Sequence, residues 1–178
     1  MRNSFQAANV AHKCITYNYR PKERTPMLKQ KDLHALIQQH IPQIHYLEVE
    51  TTESAEGECT LWERDDCTIL LDLAIPEMAN LPTALKNISA KLTWLNEHRA
   101  DIIAQLFAEP KFSGSLKTER AQVEPKLHMV YCSFFVGSTE EIFCDFAVSA
   151  EDNLLNNRFA DCSLEEDNEF TFNGMEQD

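Results

Sequence analysis

The sequence lacks the short motifs that mark most catalytic and phosphate-binding sites. Its four glycines, at positions 57, 114, 137 and 174, are too dispersed for the glycine-rich loop that cradles a phosphate. It contains neither H-E-x-x-H nor G-x-S-x-G, so a zinc-protease helix and a serine-hydrolase elbow are both excluded. The motifs therefore give no positive indication of an enzyme.

Paired cysteines and long apolar runs are missing as well. The six cysteines, at 14, 59, 67, 132, 144 and 162, never occur as C-x-x-C, which argues against a zinc ribbon and a thioredoxin-like site. No window approaches the roughly 18 apolar residues of a membrane span, and the N-terminus has no apolar segment typical of a secretory signal. We therefore expect a cytoplasmic protein with reduced core thiols, no cofactor and no contact with a membrane.

Charge is distributed unevenly along the chain. The net charge is −13, yet residues 1–31 carry seven basic side chains against Glu23 alone, and residues 140–178 carry twelve acids against Arg158 alone. An acidic body repels nucleic-acid phosphate and favours basic partners or metal ions, although solubility alone is an equally open explanation. We predict a basic, poorly ordered extension at 1–26 and a single domain at 27–178.

The apolar periodicity predicts two helices. Residues 32–41 have apolar side chains at helical spacing, and Pro42 ends this short N-terminal helix. From Asn80 the apolar residues recur at steps of three and four as far as Phe107, which predicts one long helix of about seven turns. The polar segment NEHR at 96–99 interrupts this stripe and is a possible break.

Alternating segments predict the strands. Three lie in residues 44–75, and others lie at 127–137, 140–148, 160–164 and 169–173. The expected fold is α+β, with a mainly antiparallel sheet of six or seven strands and the long helix packed on one face. The polar segment 111–126 predicts a mobile loop. A three-residue turn at 137–139 would place Cys132 directly opposite Cys144.

The segment FADCSLEEDNEFTFNGME, residues 159–176, concentrates acids in a predicted hairpin. Its connection is EEDN, where Asn168 is best suited to a left-handed conformation. The EF-hand pattern fails because its glycine is missing, so the acids are candidates for binding a basic partner. Trp62 is a candidate aromatic anchor, with core packing as the alternative. The candidate partner-binding residues are Trp62, Glu151, Asp152, Asp161, Glu165, Glu166, Asp167 and Glu169.

Two further acids leave an enzymatic function open. Asp72 and Asp145 lie inside apolar strands, and a hydrolase would need such carboxylates in a cleft with separated pKa values. The simpler interpretation places each on the exposed face of its strand.

The order of these segments resembles a known class of proteins. LTWLNEHRADIIAQL is followed by paired strands and then by LLNNRFADCSLEEDNEFTFNGME. This pattern, over roughly residues 58–176, resembles the small α+β immunity proteins encoded beside bacterial polymorphic toxins, including type VI secretion effectors. The resemblance implies a non-catalytic cytoplasmic protein that binds one cognate toxin, commonly at its active site. We therefore expect an inhibitor with an acidic surface for a basic toxin domain; a small hydrolase is the alternative, and an acidic nucleic-acid mimic is the third.

Overall fold

A computed structural model describes residues 29–73, 78–137 and 141–177. The predicted extension at 1–26 lies outside these ranges. None of the helices in the described part of the chain combines the length and apolar character needed to cross a membrane. The α-helices are α1 (Gln30–His40), α2 (Leu81–Glu97), α3 (Arg99–Ala108), α4 (Pro110–Ser113) and α5 (Arg120–Val123). Short 3-10 turns span Met78–Asn80, Glu124–Lys126 and Glu151–Asn153.

Seven strands form one sheet in the order of the chain, β1 to β7. Every neighbouring pair is antiparallel except β3 and β4, which are parallel. The prediction of an α+β fold with a mainly antiparallel sheet is therefore confirmed. The strands are β1 (Ile44–Val49), β2 (Ser54–Leu61), β3 (Arg64–Asp72), β4 (Leu127–Val136), β5 (Ile142–Ala150), β6 (Arg158–Leu164) and β7 (Phe170–Gln177).

The parallel step from β3 to β4 explains where most helices lie. Parallel neighbours cannot be joined by a hairpin and need a long crossover, and this crossover contains α2 to α5. The predicted single long helix is wrong, because α2 ends at Glu97 and α3 begins at Arg99. His98 leaves helical geometry at φ −101 and ψ 18, and its ring stacks on Trp94 with centroids 4.1 Å apart. The polar NEHR segment is thus a real break.

The predicted mobile loop at 111–126 is also wrong. The segment contains α4, α5 and a 3-10 turn. Two apolar residues anchor it, since Phe112 and Val123 are fully buried, and Phe112 meets Phe107 edge to face with ring centroids 5.3 Å apart. Polar composition concealed these anchors, because they are isolated and do not recur at a helical or strand period.

The helices cover one face of the sheet, here called the inner face. Its strand residues are fully buried and come from every strand between β2 and β6, as with Cys59, Ile69, Phe134, Phe146 and Cys162. The helices contribute further buried side chains, which are Leu33 and Ile37 of α1 and Leu85, Ile88, Leu92 and Leu95 of α2. At about 1.5–3 kcal/mol for each large side chain removed from water, this layer supplies most of the driving force for folding.

The register of β4 with β5 differs from the prediction. Val136 pairs with Ile142, so the connection is two residues longer than the predicted turn, and Cys132 faces Phe146 while Cys144 faces Phe134. The prediction that opposed Cys132 to Cys144 is therefore wrong. Its expectation of free thiols is confirmed for both residues.

Candidate protein-binding surface

The face of the sheet opposite the helices is here called the open face. Because side chains alternate along a strand, the strand pairings decide which ones share this face. Its apolar members are Tyr46, Leu70, Tyr131, Phe135, Phe143 and Phe159. Its acids are Glu48, Glu56, Glu58, Asp66, Asp72, Asp145, Asp161 and Glu176.

Large apolar side chains on the open face are accessible to a partner. Phe135 and Phe143 pair directly across β4 and β5, and they are 43% and 41% exposed. Leu70 is 38% exposed on neighbouring β3, while the half-buried rings of Tyr131 and Phe159 meet edge to face at 6.1 Å. Exposed apolar neighbours such as Phe135 and Phe143 are typical of an interaction site, and aromatic residues are enriched at protein interfaces.

The acids at one side of the open face repel one another. Glu48 lies directly opposite Glu56, and Tyr46 lies opposite Glu58. Like charges at such positions destabilise a sheet. A recess of about 150 Å³ lies here, lined by Tyr46, Glu48, Glu56, Gly57, Glu58 and Thr68. Three carboxylates beside an aromatic ring offer the ion pairs and the cation–π contact that an arginine or lysine side chain uses.

A second pair of acids lies across β5 and β6. Asp145 faces Ser163, and Asp161 faces Ala147, so the two carboxylates are diagonal neighbours. Partial burial raises the pKa of Asp145, and the negative charges of Asp161 and Glu165 add to this effect. Burial raises the pKa of Tyr131, and the negative charges of Asp161 and Asp145 raise it further. This part of the face therefore has an unbalanced negative potential.

Positive charge on the open face is already neutralised. Among the strand positions that the structure describes on this face, the only lysine or arginine is Arg64. Its guanidinium contacts Asp66 and Glu151, each at 2.6 Å. The pairing with Arg64 lowers the pKa of Asp66. The remaining carboxylates are thus available to an external cation.

The structure separates the predicted partner-binding acids into three places. Glu151 and Asp152 follow β5 and are paired within the chain, Glu151 with Arg64 and Asp152 with Lys126. Asp161 lies half-buried on the open face. Glu165, Glu166, Asp167 and Glu169 are exposed in and beside the β6–β7 turn. The seven residues of β6 place the first and last groups about 20 Å apart.

The β6–β7 turn is held from the helix side of the molecule. Lys91 of α2 donates to the carbonyl oxygens of Glu165 at 2.6 Å and Glu166 at 3.1 Å, and to Oδ1 of Asn168 at 3.0 Å. Burial lowers the pKa of Lys91, and the nearby negative groups oppose that shift. Asn168 has φ 66, which confirms its predicted left-handed conformation. The acids of this turn are accessible, although their backbone is fixed.

Trp62 is not an exposed anchor, because the backbone turns at this residue. Trp62 and Glu63 have φ 51 and φ 66 in the β2–β3 turn, so the strand alternation that predicted an outward side chain ends at Leu61. The indole is 5% exposed. Its Nε1 donates to the carbonyl oxygen of Leu95 at 2.9 Å, and Arg99 lies over the ring at 5.4 Å. Trp62 is part of the core.

The two carboxylates of the hydrolase alternative lie outside the large groove that the described residues form at the β2–β3 turn. Asp72 is exposed and Asp145 is partly buried, and neither contributes to the large groove of about 860 Å³ at the β2–β3 turn. That groove contains the cations Arg64, Arg99 and Lys126, which already contact carboxylate or carbonyl oxygens. Of the carboxylates that line the groove, Asp66 and Glu151 are paired with Arg64.

Comparison of the chain with protein-family models, curated proteins and solved structures found no match. Inference about function therefore depends on the surfaces of this molecule alone.

Proposed function

We propose that this chain is a cytoplasmic inhibitor of the immunity type, which neutralises a basic toxin domain by binding it on the open face. The observation that carries the proposal is the combination of accessible Leu70, Phe135 and Phe143 with surrounding carboxylates. Apolar anchors supply affinity when they are desolvated at the centre of an interface. Carboxylates around them select a basic partner and speed its approach.

The repulsion within the open face supports the same interpretation. Glu48 and Glu56 oppose each other in the free chain, and Asp145 is less acidic than an ordinary aspartate because of burial and nearby charge. A cationic side chain placed between such carboxylates removes the repulsion. Binding would then relieve the carboxylate repulsion that destabilises the free chain, and this relief would add to the affinity.

The acids outside the open face have smaller roles in this proposal. Glu151 and Asp152 are paired with Arg64 and Lys126, which weakens their electrostatic attraction for a basic partner. The exposed acids at the β6–β7 turn extend the negative field beyond the contact surface and attract a basic domain during approach.

The other two functions have less support. A hydrolase would need its carboxylates in a cleft, and Asp72 and Asp145 do not line the large groove. A nucleic-acid mimic would present regularly spaced charges to a phosphate-binding surface, whereas the centre of the open face is aromatic and aliphatic. The exposed apolar patch favours a partner with an apolar contact of its own.

Co-expression with a candidate toxin tests the proposal. The toxin domain encoded beside this gene is expressed in a bacterial host with the wild-type chain, with the open-face variant Glu56→Gln/Glu58→Gln/Asp145→Asn, or with the turn variant Glu165→Gln/Glu166→Gln/Asp167→Asn. The two variants lose the same formal charge, so they are matched controls for net charge. Host growth and co-purification of the complex are measured.

The expected result is growth and a stable complex with the wild-type chain and with the turn variant, and loss of both with the open-face variant. Protection by both variants would move the contact away from these acids. A basic neighbour that is not toxic, or that the wild-type chain neither binds nor neutralises, would contradict the immunity function itself.

A further inference from the structure

Three buried cysteines from adjacent strands converge on the inner face of the sheet. Cys59 of β2 lies directly opposite Cys67 of β3. Cys132 of β4 pairs with Ile69, two residues beyond Cys67. All three side chains are 0% exposed, and their sulfur atoms lie within 4.8 Å of one another. Independently of the proposed function, this cluster is a set of three soft ligands in one place.

The spacing of the sulfurs fits a single metal ion. Three sulfurs at the metal–sulfur distance of zinc thiolates, about 2.3 Å, lie about 4 Å apart when the ion is at the centre of their plane. The three sulfur atoms lie within 4.8 Å of one another, so small side-chain adjustments would bring them to that geometry. Because each sulfur comes from a different hydrogen-bonded strand, the sheet holds the three ligands in position before an ion arrives.

The surroundings favour an ion that accepts three ligands. Zinc in proteins is almost always four-coordinate, and a site with three protein ligands completes its shell with water. These cysteines lie among fully buried apolar side chains such as Ile69 and Phe134, where no solvent reaches. Soft thiolate ligands select Cu(I), and a shell of three sulfurs needs no water to complete it.

We propose that Cys59, Cys67 and Cys132 form a binding site for one Cu(I) ion. Each sulfur that binds as a thiolate forms a bond to the metal and releases its proton to solvent, with no change in the oxidation state of copper or sulfur. The site lies on the inner face, opposite the surface proposed for the protein partner. Loading it would tie β2, β3 and β4 together and so stabilise the centre of the sheet.

Anaerobic titration with an acetonitrile complex of Cu(I) tests the site. All proteins carry Cys14→Ser, because Cys14 lies outside the described residues. The wild-type cluster is compared with Cys59→Ala and Cys132→Ala. The matched controls are Cys144→Ala and Cys162→Ala, which remove equally buried thiols outside the cluster. Bound copper is measured against a bathocuproine chelator, and thiolate-to-copper absorption is recorded in the ultraviolet.

The expected result is one Cu(I) per chain, an affinity at least about 100-fold lower in Cys59→Ala and Cys132→Ala, and no change in the controls. A rise in Tm on loading should accompany the wild-type titration, since a ligand that binds only the folded state stabilises it. Equal loss of copper in the controls, or no stoichiometric copper on the wild-type cluster, would overturn the proposal.

X-ray absorption on the copper-loaded wild-type cluster keeps the proposal falsifiable if a variant fails to fold. A first shell of three sulfurs supports it. A shell of nitrogen or oxygen, or of two sulfurs only, contradicts it and leaves the cysteines as buried core thiols.

Discussion

The two faces of the sheet are built by alternate residues of the same strands, yet they differ in every physical property. Along β5, Cys144 and Phe146 point inward and are fully buried, whereas Phe143 and Asp145 point outward and remain accessible to solvent. The inner face is apolar and covered by helices, and the open face is acidic and aromatic. Under the proposed function, stability and recognition depend on opposite sides of one sheet.

Truncating one phenylalanine on each face should give the largest contrast. Phe146→Ala removes a fully buried ring and should lower the free energy of unfolding by about 3–5 kcal/mol. Phe143→Ala removes a ring that is 41% exposed, and the change should stay within about 1 kcal/mol. Urea denaturation measures both, and equal losses would break the distinction between the faces.

The sequence made this division partly predictable. Alternation in β5 correctly indicated which residues share a face, with Phe143 and Asp145 against Cys144 and Phe146. It could not indicate which strands are neighbours. Glu48 meets Glu56, and Phe135 meets Phe143, only because of the strand pairing. Periodicity therefore did not indicate the open face as one surface, whereas the acids at 165–169 are conspicuous because they are adjacent in the sequence.

The backbone of β1 leaves no room for a side chain at Gly57 of β2. A Cβ atom at Gly57 would lie 2.3 Å from the carbonyl oxygen of Tyr46, beside the irregular register of β1 with β2. Gly57→Ala should cost about 1–3 kcal/mol, since the added methyl group forces the strands apart. Thermal unfolding measures the loss, and an unchanged Tm would mean that β1 moves freely. The matched control is Gly137→Ala, where the nearest atom is a side-chain oxygen of Glu141 at 3.4 Å.

The wrong predictions for the long helix, the segment 111–126 and Trp62 also reflect structure that periodicity does not record. Trp94 and His98 stack where the apolar stripe is interrupted, and the sequence shows the interruption without showing that the backbone turns. Phe112 and Val123 are buried although their neighbours are polar. Trp62 is buried because two left-handed residues end β2. Periodicity records neither the local backbone turns at Trp62 and His98 nor the packing that buries Phe112 and Val123.

Lys91 connects the helix layer to the β6–β7 turn. Lys91→Met removes three hydrogen bonds to that turn and should cost about 1–2 kcal/mol, because the freed carbonyl groups can bind water. The backbone amides of residues 165–169 should exchange with deuterium faster, while those of β2 and β3 keep their protection. Lys86→Met, an exposed position on the same helix, serves as the control and should change neither quantity.

The smallest effect concerns the charge of Asp145. Its folded-state pKa is raised, so the ionised carboxylate destabilises the fold at neutral pH. The penalty shrinks as pH falls through the folded-state pKa and is gone only below the lower pKa of the unfolded state. Asp145→Asn should therefore raise Tm at pH 7 by on the order of 1 °C. The gain should vanish below about pH 3.5, where the aspartate is protonated in both states. A variant less stable than wild type at pH 7 would mean that the carboxylate is held by favourable contacts.

The central claim is that the open face, rather than the β6–β7 turn, contacts a basic partner. The most direct measurement is the association rate with the toxin domain that co-purifies with the wild-type chain, at low and high salt, for the wild type and for the two triple variants defined above. The wild-type association rate should fall steeply with salt. The open-face variant should dissociate at least about tenfold faster than wild type, and the turn variant should dissociate at a near wild-type rate. An open-face variant that associates and dissociates like wild type would contradict the account.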